Sequence, residues 1–383
     1  MNFNFTEEQA MIKDSVARFI ADDYDFDQRT KNVAMEHGFN PSSWQTFAEL
    51  GWLSIPFPSA FGGFGGSAVD IMVIMEEFGK GLVAEPYVAT VLLFGGLLAR
   101  SGDGEIQQEL IASIIDGSLQ GGFAYHERQS RFELSDVKTT AVADGEQYRL
   151  TGEKTVVFNG AAANKLIVSA RTAGDQCDEN GISLFLIDTE TDGVSVTAYP
   201  MMDGQQAANI SLNNVGNAQL IGELHQGFGL MQAVVNDTML ALCAEAQGIM
   251  QKLTEATVAY SKTREQFGTA IGKFQVLQHR MVDMFVAGEQ VRSLLYRAVC
   301  SADASNENAT KDLLALKVMV GRAGKLIGGE AIQLHGGMGI TDELDVGHYA
   351  KRLMMINTTF GDADYNQQKF LKLSASLGLR CMS

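Results

Sequence analysis

The chain has 383 residues, of which 46% are hydrophobic and 20% charged, enough for two or three domains with a sizeable core. A formal net charge of −17 argues against a nucleic-acid-binding or anionic-membrane-binding surface. A local group of arginines and backbone N–H groups can still bind the phosphates of a ligand. The four widely spaced cysteines indicate neither a metal site nor a disulfide framework. No signal peptide and no membrane-spanning apolar run is evident, so a soluble cytoplasmic protein is expected.

The first part of the chain, residues 1–120, is predicted to be a helical domain. Thr6 and Gln9 have the spacing of a capping box, which predicts a helix beginning at this point. The segment Trp44–Leu50 is a second predicted helix, and Gly51 is its stop signal. The remaining features are a proline- and glycine-rich loop over residues 56–66 and two apolar helical segments, Val69–Phe78 and Tyr87–Leu98.

The middle part, residues 121–225, changes its period. Short segments rich in Val, Ile, Leu and Phe are separated by turn pairs such as Asp144-Gly145 and Asn159-Gly160. This pattern predicts a small antiparallel β domain rather than alternating strands and helices. The predicted strands cover residues 148–150, 154–158, 165–170, 182–187 and 194–198.

The last part, residues 226–383, is predicted to be a helical bundle. Apolar residues from Phe274 to Leu295 recur mostly at steps of three and four, which predicts one long helix. The segment Lys311–Leu334 is a second predicted helix that contains four glycines, each costing about 1 kcal/mol of helix propensity against Ala. Such glycines indicate close helix packing or a nearby ligand. The predicted fold class is α+β, mainly α.

Two motifs in this last part suit a phosphate ligand. In Arg264–Gly268, the guanidinium of Arg264 can bind phosphate oxygens bidentately. In Gln333–Gly339, the pair Gly336 and Gly337 lets the backbone approach a ligand, and Gln333 can hydrogen-bond a phosphate or ribityl oxygen. The alternatives are a solvated arginine in an interhelix loop and an ordinary glycine at a helix end.

These motifs and the order of helical, β and helical parts resemble the acyl-CoA dehydrogenase family over essentially the whole chain. Two segments, Leu242–Ala246 and Val346–Tyr349, are most similar to the small subunit of pimeloyl-CoA dehydrogenase-like enzymes. Further segments that match family motifs are Pro58–Gly65, Glu76–Gly79, Asp136–Thr139, Gly152–Lys154 and Asn159–Gly160.

The resemblance implies a flavoprotein that dehydrogenates an acyl-CoA thioester and passes electrons to an electron-transfer flavoprotein. It implies that FAD is bound by Arg264, Phe267, Gln275, Gln333, Gly336 and Gly337. In the family these residues often reach the FAD of a neighbouring subunit. A homo-oligomer, or a hetero-oligomer with another acyl-CoA dehydrogenase subunit, is therefore expected.

The sequence departs from the family at the flavin ring. Where the family has Tyr-x-x-Thr-Glu, this chain has Phe123–Glu127, with His126 in the place of Thr. Where the family has Trp-Ile-Thr or Trp-Ile-Ser, it has Val156–Phe158. A buried polar ring loses about 1–3 kcal/mol for each unmet hydrogen bond. His126 is either a substitute donor or a packing histidine.

The sequence also departs from the family at the catalytic base. The family Glu falls on Phe360 or Gly361, and an alternative family position falls on Thr238, so no carboxylate stands at either place. Asp362 is the predicted base, and Asp237 is a second substitute. Asp362 can instead cap or hydrogen-bond a turn.

Three functions are consistent with this pattern. The first is a catalytic acyl-CoA dehydrogenase with a relocated base, which acts either by itself or as one subunit of a heteromeric enzyme. The second is a non-catalytic partner subunit that completes the FAD site of another chain. The third is an Asp-based flavoenzyme of the nitroalkane-oxidase or monooxygenase type on the same fold.

Overall fold

The computed structural model describes residues 5–145 and 147–380, with side-chain surroundings up to residue 375. Residues 1–4, 146 and 381–383, which include the ends of the first and last predicted domains, lie outside this part. The helices are α1 (Glu7–Asp23), α2 (Phe26–Val33), α3 (Pro41–Glu49), α4 (Ala68–Gly81), α5 (Gly96–Ser101), α6 (Glu105–Ile115), α7 (Gly227–Thr263), α8 (Gln275–Asp303), α9 (Ala309–His335), α10 (Asp345–Thr358) and α11 (Ala363–Arg380). The strands are β1 (Gly121–Ala124), β2 (Thr140–Asp144), β3 (Gln147–Phe158), β4 (Lys165–Arg171), β5 (Ile182–Asp188), β6 (Val194–Pro200), β7 (Gln206–Ile221), β8 (Glu265–Gln266) and β9 (Thr269–Ala270).

The predicted fold class, α+β and mainly α, is confirmed. By its internal contacts the chain divides into two compact units. The helical unit comprises residues 1–29, 67–83 and 239–383, and the sheet unit comprises residues 30–66 and 84–238. The first predicted domain contributes to both units. Its helices α1 and α4 pack against each other within the helical unit, whereas residues 30–66 and 84–120 belong to the sheet unit. The division into 1–120, 121–225 and 226–383 stays a prediction.

The first helix begins as predicted. The Thr6 hydroxyl accepts a hydrogen bond from the Gln9 N–H (3.2 Å), and the Gln9 side chain accepts one from the Thr6 N–H (3.0 Å). These two bonds satisfy backbone donors that the first turn of a helix leaves without partners. The capping box therefore fixes the start of α1.

Glycines within α9 permit close packing inside the helical unit. A Cβ on Gly321 would lie 2.2 Å from Asn357 Oδ1, and one on Gly328 would lie 3.3 Å from the Ala350 Cβ. Gly329 differs, because no atom from outside its own helix lies within 4 Å of its ideal Cβ position in the part of the chain that the structure describes. Close packing against α10 therefore accounts for Gly321 and Gly328, while Gly329 faces open space.

The strands of the sheet unit form a seven-stranded sheet. Its order is β1-β4-β2-β3-β7-β5, β6 pairs with β7, and β4 also pairs with β5, so the strands close on themselves. Most pairings are antiparallel, as predicted, but β1 pairs with β4 in parallel and β2 meets β4 in one parallel pair. The enclosed core contains Leu150, Val157, Leu166, Phe185 and Ile210.

Two features of the sheet differ from the sequence prediction. The segments predicted as residues 148–150 and 154–158 belong to one strand, β3, because Gly152 continues the strand instead of turning it. A Cβ on Gly152 would lie 2.4 Å from Thr139 Oγ1, so only glycine fits there without a shift. The long strand β7 was not predicted, because Asn and Ser at its exposed positions are weak strand formers.

Two apolar segments differ from a regular exposed helix. Tyr87–Gly95 is a π-helix that continues into α5, where the sequence predicted one uniform helix. Helix α7 is long and apolar enough to cross a membrane by length and composition, although the sequence analysis identified no such segment. Most of this stretch is buried inside the protein, as in the core helix of a soluble protein.

Candidate functional site

The Arg264–Gly268 motif forms a tight hairpin at the end of α7. Strands β8 and β9 are joined by Phe267 and Gly268, whose φ angles are +56° and +80°. Positive φ at both central residues is the requirement of a type I′ turn, which matches the twist of a two-stranded hairpin. The Arg264 N–H donates to the Tyr260 carbonyl (2.9 Å), and the Ile271 N–H donates to the Arg264 carbonyl (2.8 Å). The backbone of Arg264 is therefore fixed on both sides.

The Gln333–Gly339 motif begins at the C-terminal end of α9. Gly336 has a φ of +63°, and its N–H donates to the Gln333 carbonyl, so it ends the helix as a glycine commonly does. Among the described residues, no atom beyond the adjoining chain lies within 4 Å of the ideal Cβ positions of Gly336 and Gly337. The space beside both residues is therefore open to a ligand.

The two motifs line one pocket in the helical unit, with a volume of about 480 Å³. This volume lies within the usual range for small-molecule sites. The structure thus brings together Arg264, Gln333, Gly336 and Gly337, which are far apart in sequence. The lining residues are Tyr260, Arg264, Gln266, Ile271, Gln333, Leu334, His335, Gly336, Gly337 and Met338.

The remaining two predicted cofactor residues lie outside this lining. Phe267 stands at the tip of the hairpin with 94% of its surface exposed, and its only described ring contact is with Phe274 at 6.3 Å. Gln275 is the exposed first residue of α8. Both side chains are exposed, and their role in FAD binding stays a prediction.

The sequence predicted no cofactor role for six of the ten lining residues, among them Tyr260 and His335. Their rings are stacked, with centroids 4.3 Å apart and an interplanar angle of 27°. Helical spacing carries the signal that could have identified Tyr260, because it precedes Arg264 by four residues and the end of a helix places such residues on one face. His335 lies next to Gly336 within the motif itself.

The predicted base, Asp362, caps α11. Its Oδ1 accepts a hydrogen bond from the Tyr365 N–H at 2.9 Å, which is the turn-capping arrangement that the sequence left open. The two positions on which the family Glu falls, Phe360 and Gly361, have φ angles of +58° and +102°. Asp362 therefore has the capping role that the sequence left open, and its role as the base stays a prediction.

A buried lysine holds the end of α10, just before the loop of residues 359–362 that joins α10 to α11. The Lys317 ammonium donates to the carbonyl oxygens of Ile356 and Asn357 at the end of α10, the latter at 2.9 Å. Burial lowers the pKa of Lys317 to about 8, against the opposing effect of Cys243 and Asp362. The loop of residues 359–362 therefore follows a helix end that Lys317 holds by hydrogen bonds.

The second substitute base, Asp237, pairs with the Arg100 guanidinium. Its side chain is 57% exposed, whereas the neighbouring Thr238 is fully buried. The Thr238 hydroxyl oxygen has no hydrogen-bond partner among the described residues. Burial raises the pKa of Asp237, and the Arg100 guanidinium opposes that shift. A role of Asp237 as the base stays a prediction.

At the predicted flavin-ring positions, His126 is hydrogen-bonded within the sheet unit. Its Nδ1 lies 2.9 Å from Thr155 Oγ1, and the Thr155 N–H donates to the His126 carbonyl at 2.8 Å. Burial lowers the pKa of His126, and a backbone hydrogen bond with Arg131 opposes that shift. This arrangement favours the packing interpretation of His126. Thr155, its partner, was not identified from the sequence.

The neighbouring segment lacks hydroxyl groups and carries backbone strain. Val156, which stands where the family has Trp, has a φ of +53°, an outlier for a β-branched residue. Phe158 stands where the family has Thr or Ser. These side chains offer a flavin ring no hydrogen-bond donor.

Comparison with known proteins settles the family. Models of the acyl-CoA dehydrogenase N-terminal, middle and C-terminal domains match residues 6–118, 122–215 and 225–368. The chain belongs to the acyl-CoA dehydrogenase family. It is a flavoprotein oxidoreductase of this family, as the resemblance implied.

Three relatives illustrate the range of this acyl-CoA dehydrogenase fold. The probable acyl-CoA dehydrogenase YngJ of Bacillus subtilis (strain 168) is 30% identical over 353 residues, which are 90% of this chain and 92% of the relative. The structure of PigA with FAD and proline is 28% identical with a TM-score of 0.90, covering 99% of this chain and 100% of PigA. A variant of the Tcur3481-Tcur3483 steroid ACAD is 26% identical with a TM-score of 0.87, covering 97% and 99% of the two chains.

The residues of this chain fit different parts of FAD unequally. The pocket offers a guanidinium, an amide side chain and a backbone cradle without Cβ atoms, which suit a diphosphate. The segments around His126 and Val156 offer apolar or already bonded groups where a flavin ring needs donors. The chain is therefore equipped for the diphosphate of FAD and poorly equipped for its ring.

Proposed function

We propose that this chain serves the FAD-dependent α,β-dehydrogenation of an acyl-CoA thioester as one subunit of a hetero-oligomer. In this role it completes the FAD site of a partner subunit, which supplies the contacts to the flavin ring and the catalytic base. The observation that carries the proposal is a contrast within the same chain: Arg264, Gln333, Gly336 and Gly337 line one open pocket, whereas the ring and base positions are altered.

The pocket supports the phosphate-binding half of this proposal. A guanidinium and backbone N–H groups bind phosphate strongly because their hydrogen bonds are charge-assisted. The backbone of Arg264 is held by two hydrogen bonds, and Gly336 and Gly337 present open backbone at the opposite motif. Such a site attracts a diphosphate even though the whole chain is acidic, because the charge that matters is local.

The altered positions support the dependence on a partner. Abstraction of an α-proton needs a carboxylate within reach of that carbon. Phe360 and Gly361 have none, and Asp362 is engaged as a helix cap. If the partner supplies the base, this chain experiences no selection to keep one, while its phosphate pocket stays necessary.

Exposed apolar groups near the pocket support a subunit interface. Phe267 is 94% exposed at the hairpin tip, where a second chain would bury its ring. Helix α8, which begins at Gln275 beside this hairpin, also exposes Val276, Val282, Phe285 and Val286. The similar steroid ACAD is itself named as a pair of proteins, Tcur3481-Tcur3483.

The proposal includes the ordinary setting of such an enzyme. FAD is the cofactor, an acyl-CoA is the substrate and an electron-transfer flavoprotein is the electron acceptor. We place the complex in the cytoplasm. The electron acceptor is supported by a relative that is named as a subunit of an Etf complex, the caffeyl-CoA reductase-Etf complex subunit CarC of Acetobacterium woodii.

The test is the visible spectrum and flavin-to-protein ratio of the chain, purified alone and after co-expression with an acyl-CoA dehydrogenase encoded beside it. We expect no flavin on the chain alone, and about one flavin for every two chains in the co-expressed complex, bleached by an acyl-CoA. One flavin per chain that bleaches without a partner would overturn the proposal and leave a self-sufficient dehydrogenase. Bleaching by a nitroalkane but not by an acyl-CoA would instead indicate the Asp-based flavoenzyme.

A further inference from the structure

The stacked rings of Tyr260 and His335 connect the two motifs of the pocket. Their centroids are 4.3 Å apart, and both residues line the cavity that Arg264 and Gln333 share. Neither residue is among the predicted cofactor ligands. The inference that follows rests on the proposed phosphate-binding function of this pocket.

Each of the two residues belongs to one of the two motifs. The Tyr260 carbonyl accepts hydrogen bonds from the Arg264 N–H (2.9 Å) and the Thr263 hydroxyl (3.2 Å), so Tyr260 belongs to the helix end that carries Arg264. His335 directly precedes Gly336, so it belongs to the turn that carries the glycine cradle. The stack is therefore a direct contact between the two phosphate-binding segments.

The orientation of the His335 ring is determined by a hydrogen bond. Nδ1 lies 2.8 Å from the Ala331 carbonyl oxygen, which only accepts, so Nδ1 carries a proton and donates. A ring held at one nitrogen and packed against Tyr260 on one face has a single orientation. The turn that follows it is held in place by the same contacts.

We propose that Tyr260 and His335 are a positioning pair that sets the separation between Arg264 and the Gly336–Gly337 backbone, so that the pocket grips both phosphates of a diphosphate at once. A diphosphate needs two anchoring points at a defined distance, whereas a monophosphate needs only one. Loss of one charge-assisted contact lowers affinity by about tenfold. Loosening the stack should therefore weaken a diphosphate ligand selectively.

The test compares ADP with AMP, which differ by one phosphate, in calorimetric titrations of the purified full-length chain. The wild type should bind ADP more tightly than AMP. Tyr260→Phe keeps the stack and should retain this preference within about twofold, whereas Tyr260→Leu should reduce it by about tenfold while AMP affinity stays near the wild-type value. Tyr296→Leu, a tyrosine of α8 outside the pocket lining, is the control and should leave both affinities unchanged.

His335→Gln removes the stack from its other side and should reproduce the effect of Tyr260→Leu, which keeps the test valid if one variant fails to fold. The inference is overturned if Tyr260→Leu and His335→Gln weaken ADP and AMP equally, or if they change neither. In those cases binding by the wild type still supports the phosphate pocket. A wild-type chain that binds neither nucleotide would overturn this inference, whereas the proposed function is tested separately by the flavin content of the co-expressed complex.

Discussion

Gly79 of α4 and Gly248 of α7 lie at a helix crossing where two backbones touch. A Cβ on Gly79 would lie 2.1 Å from the Glu245 carbonyl oxygen, and a Cβ on Gly248 would lie 1.9 Å from the Glu76 carbonyl oxygen. Each glycine therefore lies against the carbonyl oxygen of the residue that precedes the other glycine by three positions. Both helices bury charged residues next to this crossing, among them Glu245, which binds Arg352 bidentately at 2.6 and 2.8 Å.

The crossing predicts the effect of adding one methyl group. Gly248→Ala should lower the free energy of unfolding by about 1–3 kcal/mol, because a backbone oxygen cannot move aside as a flexible side chain can. Gly329→Ala is the matched control, since Gly329 is also within a helix but has open space beside it. Urea denaturation should show the control unchanged or stabilised by up to about 1 kcal/mol. Equal urea midpoints of unfolding for Gly248→Ala and Gly329→Ala would contradict a close backbone contact at Gly248.

The buried pair Glu127 and Lys154 predicts a second stability effect, in the sheet unit. Their charged atoms are 2.7 Å apart, and both side chains are almost fully buried. Glu127→Gln should cost about 3–5 kcal/mol, because it leaves the Lys154 ammonium buried without its counter-charge. Glu153→Gln, an exposed carboxylate next to Lys154 in β3, should change stability little. Thermal or urea unfolding of both variants at neutral pH provides the comparison.

The same pair predicts a dependence on pH. Burial alone would raise the pKa of Glu127, but the Lys154 ammonium and several hydrogen bonds hold it at about 2, below the ordinary value of 4.5. A depressed carboxylate pKa gives stability that is present above pH 4.5 and lost as the pH falls towards 2. The stability difference between wild type and Glu127→Gln should therefore shrink across this interval. A difference that stays constant from pH 7 to pH 3 would contradict this assignment.

Asp362 allows the capping and catalytic roles to be separated. Asn caps helices as well as Asp, so Asp362→Asn should keep the bond to the Tyr365 N–H and the stability of the protein. Asp362→Ala removes the cap and should cost about 1 kcal/mol. Under the proposed function, both variants should still support flavin bleaching by an acyl-CoA in the co-expressed complex. Abolition of bleaching by Asp362→Asn alone would identify Asp362 as the base.

Phe267 predicts a loss of assembly without a loss of folding. Phe267→Ser should leave the unfolding midpoint near that of the wild type, because the ring is 94% exposed and buries little surface within the chain. The variant should reduce the flavin content and the molar mass of the co-expressed complex, measured by light scattering during size exclusion. Phe64→Ser, at an aromatic residue of the sheet unit that is 57% exposed, is the control and should change neither. An intact complex with Phe267→Ser would remove Phe267 from the interface.

The sequence by itself determined the family, the fold class and the local structures that depend on short-range chemistry. The capping box of Thr6 and Gln9 and the glycine turn after α9 follow from residue types within a few positions of each other. The absence of a carboxylate at Phe360 and Gly361 is likewise a property of the sequence alone. Strand β7 escaped prediction because its stability comes from pairing with β3, β5 and β6 rather than from its own residues.

The tertiary structure decided which residues from distant parts of the chain contact one another. Arg264 and Gly336 line one pocket only because the ends of α7 and α9 lie side by side, and the stack of Tyr260 on His335 forms only at that meeting point. The partnership of His126 with Thr155 and the capping role of Asp362 are also contacts whose strength depends on distance and angle. Sequence spacing does not encode such distances between separate elements, because they are set by the packing of whole helices and strands.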